Sequence, residues 1–139
     1  MYCTQADLQR RYGDQELIDL TDTTGSGTID SQIVESAIDD AAALIDSHLE
    51  QRYRSRMPFT NVPGVLERIA CALARYFLYT QDPPEAIQTH YKNAVKFLES
   101  VAAGSVSLGI DEQPPTSGGL PEIQADSPVW KRTDSSGFI

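Results

Sequence analysis

Three times between Asp30 and Gly104, apolar residues recur at the spacing of one helix face, and that repetition commits the middle of the chain to α-helix. Ile33, Val34, Ala37, Ile38, Ala41, Leu44, Ile45, His48 and Leu49 make the first stripe. Leu66, Ile69, Ala70, Leu73, Ala74, Phe77 and Leu78 make the second, and Ile87, Tyr91, Ala94, Val95, Leu98 and Val101 the third. The second is apolar on most sides from Val65 to Leu78, which places it at the centre of a bundle.

The punctuation between stripes agrees with this. Asp30 or Ser31 caps the first long helix, Ile29 can staple against it, and the helix is expected to run to Arg56. Pro58 ends it by forcing Met57 into an extended conformation. Val62-Pro63-Gly64 opens the second helix, and Asp82-Pro83-Pro84-Glu85 stops it and starts the third, which ends at Gly104. Upstream, Thr4 with Asp7 three residues on predicts a short helix over Gln5–Arg11, closed by Gly13 in a left-handed conformation. Asp14–Leu20 adds one or two turns, and Thr21–Thr28 is a loop by composition.

After Gly104 the character changes. Ser105-Val106-Ser107-Leu108-Gly109-Ile110 alternates polar and apolar residues, a short strand signal that needs a partner strand. Pro114 to Gly119 is too poor in apolar residues to pack and reads as flexible. The fold expected is therefore mainly α: a small helical bundle of three principal helices plus a short N-terminal helix, a short β segment near 105–110 and a flexible C-terminal tail. Residues 1–104 form the helical domain, and residues 105–139 the strand and tail.

Composition narrows the function. With 20 acids against 11 Lys and Arg the net charge is −9, which argues against a broad basic face for nucleic acid. Cys3 and Cys71 stand far apart with no CxxC, so no disulfide framework is expected, and Cys71 reads as a small buried hydrophobe. The first residues lack a basic start and an apolar signal core, and no window of about 18 apolar residues could span a membrane. The expectation is folding in a reducing cytosol.

No residues line up for catalysis. Asp22 to Asp30 loosely matches a calcium loop, but Thr24 stands at the third position and Ile33 at the twelfth, where a bidentate Glu belongs. It reads as a Gly-rich loop leading into a helix cap. His48 and His90 have no HxxxH or HxxE spacing, so no metal site is assigned. Neither a nucleophile elbow nor a phosphate loop occurs, and no cofactor is expected. Candidate contact residues remain: Arg52, Arg54 and Arg56 read first as cations at a helix C-terminus and second as contacts to DNA phosphates or an acidic partner. Val106 and Leu108 are candidates as an unpaired strand, and Val129, Trp130, Phe138 and Ile139 as apolar anchors on the tail.

Together these segments resemble the Mu-type phage and prophage virion protein family, small proteins of the head–tail junction. The matching pieces are Met1-Tyr2-Cys3-Thr4, Asp7-Leu8, Tyr12-Gly13, Glu16 to Asp22, Ile29-Asp30, Ala37 and Asp40-Ala41. Ile45 to Leu49, Arg52-Tyr53, Val62-Pro63, Ile69-Ala70-Cys71, Ala74 to Tyr79, Tyr91-Lys92, Ala94, Leu98 to Gly104 and Val106-Ser107-Leu108-Gly109 continue them. His48 stands where the family leads one to expect Tyr. The resemblance implies a helical head–tail adaptor that forms a homo-oligomeric ring, twelve-fold to match a portal. The implied partners are the portal protein, a tail-side joining or terminator protein and DNA in transit, with no membrane. The implied location is the virion, with host cytoplasm before assembly. There are no catalytic residues to carry over. The alternative reading is a helical interaction module that binds one partner through its C-terminal tail.

Overall fold

The computed structural model describes residues 1–110, which form five α-helices and no strand. In chain order these are α1 (Gln5–Tyr12), α2 (Asp14–Thr21), α3 (Ser31–Tyr53), α4 (Gly64–Leu78) and α5 (Glu85–Ala103). The mainly α architecture expected from the periodicity is the one observed. Helices α3, α4 and α5 pack against one another, and α1 lies on α3 and α4.

Helix α4 is central because its apolar residues are not confined to one stripe. Ala70, Cys71, Leu73 and Ala74 are all buried within little more than one turn, with Leu66, Ile69 and Leu78 before and after. Helix α3 contributes Val34, Ala37, Ile38, Ala41, Ile45, Leu49 and Tyr53, and α5 contributes Ile87, Ala94, Leu98 and Val101. Phe77, which belongs to the second stripe, is only half-buried and packs at the edge, against Tyr76 and Tyr91.

The caps form largely as the sequence predicts. The Thr4 hydroxyl accepts from Asp7 N–H while the Asp7 carboxylate accepts from Thr4 N–H, closing a reciprocal capping box on α1. Asp30 Oδ1 accepts from the N–H groups of Gln32 and Ile33 at the head of α3. Gly13 departs from expectation: φ is +90° but ψ is 153°, an extended geometry open to glycine that turns α1 directly into α2. The α-helix of α3 ends at Tyr53 rather than Arg56, since Arg54–Arg56 tightens into a 3₁₀ turn before the extended Met57.

The N-terminal helices are fastened by polar contacts. Arg75 of α4 forms two parallel hydrogen bonds with the Glu16 carboxylate, at 2.6 and 2.8 Å, while its guanidinium lies 4.1 Å from the centre of the Tyr12 ring. Arg11 pairs with Glu67 at 2.8 Å. The fully buried Thr21 donates to Leu17 C=O and accepts from Asp30 N–H, joining α2 to α3 across the loop. Cys3 and Cys71 are free and buried; the neighbouring Cys71 thiol, with burial, holds the Cys3 thiol well above the ordinary thiol range.

Candidate functional site

Two features of the folded body can meet a partner: the C-terminal end of α3 with the chain that follows α5, and an open groove between α4 and α5. The first contains most of the contact residues that the sequence suggested. Its construction starts at Gly104, whose left-handed conformation (φ 88°, ψ 2°) terminates α5 and returns the backbone toward α3. Ser105 and Val106 N–H groups both reach Ser100 C=O.

The segment 105–110 is not a strand, and the expectation of a β segment there is corrected by where its backbone polar groups go. Val106 C=O accepts from Arg52 Nη1 at 3.2 Å, Leu108 N–H donates to Tyr53 Oη at 3.3 Å, and Gly109 N–H donates to Ser107 Oγ at 3.2 Å. Side chains of α3 supply the partners that a neighbouring strand would otherwise provide. Leu108 is buried in the core and Val106 packs against it, so in this conformation both face their own bundle. The alternation of polar and apolar residues was real, but it marks a half-buried turn segment.

The three arginines have separate environments. Arg52 reaches Val101 C=O at 2.7 Å as well as Val106, so its cation serves the C-terminus of α5 rather than that of α3 alone. It also lies 5.2 Å from the centre of the Tyr53 ring. Arg54 is exposed and pairs with Glu50 one turn back. Arg56 is half-buried, and its Nε is buried without a hydrogen-bond partner among the described residues. Val129, Trp130, Phe138 and Ile139 lie outside the described residues.

The groove between α4 and α5 was not legible in the sequence. It is open to solvent and encloses about 400 Å³. Ile69, Ala72 and Ala94 form an apolar floor, Phe97 a wall, and Arg68 and His90 stand on its rim. Two small side chains, Ala72 and Ala94, are among those that line it.

The calcium-like loop is organised around itself. Asp22 accepts from Gly27 N–H at 2.8 Å and Ser26 N–H at 3.0 Å, and also from the Ser26 and Thr24 hydroxyls. These donors, Gly27 first, hold the Asp22 carboxyl below the usual carboxylate range. His48 Nδ1 donates to Leu44 C=O at 3.0 Å within its own helix. Among the described residues, no group of three or more His, Cys, Asp and Glu side chains could hold a metal ion. None of the described helices is long and apolar enough to cross a membrane.

Comparison with known proteins places this architecture among relatives. The family model described as "Bacteriophage Mu, Gp36" matches residues 2–124. The "Mu-like prophage FluMu protein gp36" of Haemophilus influenzae is 34% identical over 141 residues, covering 100% of this chain and 99% of that protein. "Gene product J" of Escherichia phage Mu is 35% identical over 142 residues, covering 99% of each.

Proposed function

The chain belongs to the bacteriophage Mu Gp36 family, and on that premise we propose that it is a structural virion protein of the head–tail connector type. In this reading copies assemble into a ring beneath the portal, twelve-fold to match it, and complete the head for tail joining. Its partners are other copies of itself, the portal protein and a tail-side joining or terminator protein, and DNA passes through the ring. It works at the head–tail junction after folding in the host cytoplasm. It performs no catalysis and uses no cofactor.

The observation that carries the reading is end-to-end similarity to one protein of Escherichia phage Mu and one of a Mu-like prophage. A net charge of −9 suits a channel through which DNA must slide without sticking. A free helical module that binds one partner through its C-terminal tail is the competing reading, and deletion of residues 111–139 separates the two. A ring protein keeps body-to-body association after the deletion, whereas a module loses all partner binding. Electron micrographs of the purified full chain, with and without portal particles, give the direct test. Closed rings or decorated portals are expected, and particles that stay small and ignore the portal overturn the proposal.

A further inference from the structure

A second cavity, of about 290 Å³, opens where the first residues of the chain meet the connection between α3 and α4. Met1, Tyr2, Met57, Phe59 and Val62 give it apolar walls, with the methyl group of Ala42 from α3 among them. Met1, 71% exposed, is the one large apolar side chain left uncovered among the described residues. Two thioethers and two aromatic rings around one space suit a further aromatic ring, through sulfur–ring and edge contacts.

The chain itself leads to this cavity. Leu108 N–H donates to Tyr53 Oη, the Tyr53 ring lies 6.3 Å from Phe59 in an edge arrangement, and Phe59 lines the cavity. The last described residues therefore stand one aromatic ring away from it. Beyond them the sequence holds the only Trp of the chain, Trp130, 20 positions after Ile110. A coil of that length spans roughly 25 Å, so Trp130 can return to the cavity. Such a tether also supplies an effective concentration of the order of mM, which favours docking on the same copy.

Charge separates this cavity from the larger α4–α5 groove. Lys131 and Arg132 directly follow Trp130. The only charged side chain lining the cavity is Asp46, which accepts from Tyr2 Oη and makes no ion pair among the described residues, with the Met1 amino group or any side chain. Of the nearby bases, Arg54 is held by Glu50, and Arg56 does not line the cavity. The α4–α5 groove has Arg68 and Arg75 in its lining and no acid, so it repels the two cations beside Trp130.

We propose that residues 129–132 seat in this cavity of their own chain, with the Trp130 ring against Met1, Met57 and Phe59 and its two cations beside Asp46. The inference goes beyond the ring reading and does not depend on it, since it gives the tail's anchor a place on its own body, single or assembled.

The test reads Trp130 in the full-length protein by fluorescence emission and acrylamide quenching. Relative to the same protein in urea, emission is expected to lie to the blue and quenching to be several-fold weaker. Ala42→Arg places bulk and a cation in the cavity. It is expected to bring both readings to their urea values while far-UV circular dichroism shows the helices intact. Val62→Arg does the same from the loop side and serves if the first variant does not fold. Asn93→Arg, at an exposed position lining the α4–α5 groove, is expected to change neither reading. Ala42→Arg co-refolded with Trp130→Ser, whose cavity is open, is expected to keep its Trp130 exposed. Native emission equal to that in urea overturns the proposal, as does blue emission that survives a folded cavity variant. Release of Trp130 by Asn93→Arg also overturns it, and so does blue emission in the co-refolded mixture, because the anchor then seats in a neighbouring copy.

Discussion

Single residues carry much of the order at the N-terminus, where the chain has little apolar surface. The capping box of α1 uses Thr4 and Asp7 reciprocally. Thr4→Ala should cost about 1 kcal/mol of stability, the usual effect of losing an N-cap, measured by urea denaturation. Against a small burial cost, the Arg10 guanidinium and the Thr4 N–H and hydroxyl hold the Asp7 carboxyl below its usual range. A carboxyl with a lowered folded pKa stabilises fully above its unfolded value and loses that contribution as pH falls through the folded one. Asp7→Asn should therefore be less stable than the native chain at pH 7, and the gap should narrow below about pH 4. A gap that is constant from pH 7 to pH 2 would contradict this. The Thr4–Asp7 pair was legible because capping is local. The Glu16–Arg75 pair and the Cys3–Cys71 contact were not, because they depend on which helices meet, and no spacing in the sequence encodes that.

At the scale of elements, helix identity was legible wherever apolar periodicity ran for several turns, as in α3, α4 and α5. The failure fell on a short segment, 105–110, where five or six alternating residues suit a strand and a half-buried turn equally well. Burial decided the outcome: Leu108 enters the core, and Tyr53 and Arg52 satisfy the backbone beside it. Tyr53→Phe keeps the ring and removes only the hydroxyl that accepts from Leu108 N–H. It should cost about 0.5–1.5 kcal/mol and speed hydrogen exchange at Leu108, with little change in α3. Unchanged exchange at Leu108 would show that the hydroxyl does not hold the segment. The centrality of α4 has its own check. Leu73, fully buried, should lose about 2–5 kcal/mol on truncation to Ala. The half-buried Phe77 should lose distinctly less in the same thermal melts, although it is the larger side chain. Equal losses would mean that Phe77 is better enclosed than its edge position indicates.

For the molecule as a whole, an acidic chain with a small helical body gains from contacts beyond itself. Its internal ion pairs tie the N-terminal helices down, Arg75 to Glu16 and Arg11 to Glu67. Family and helical class were readable from the sequence, since both depend on patterns along the chain. The groove was not, since it arises only when α4 and α5 lie side by side. Assembly is the claim on which the functional account stands, and native mass spectrometry of the full-length chain, alone and with portal particles, addresses it most directly. The account predicts a discrete species at an integer multiple of 15.3 kDa, twelve copies when the portal sets the symmetry. A lone 15.3 kDa species under both conditions would contradict it.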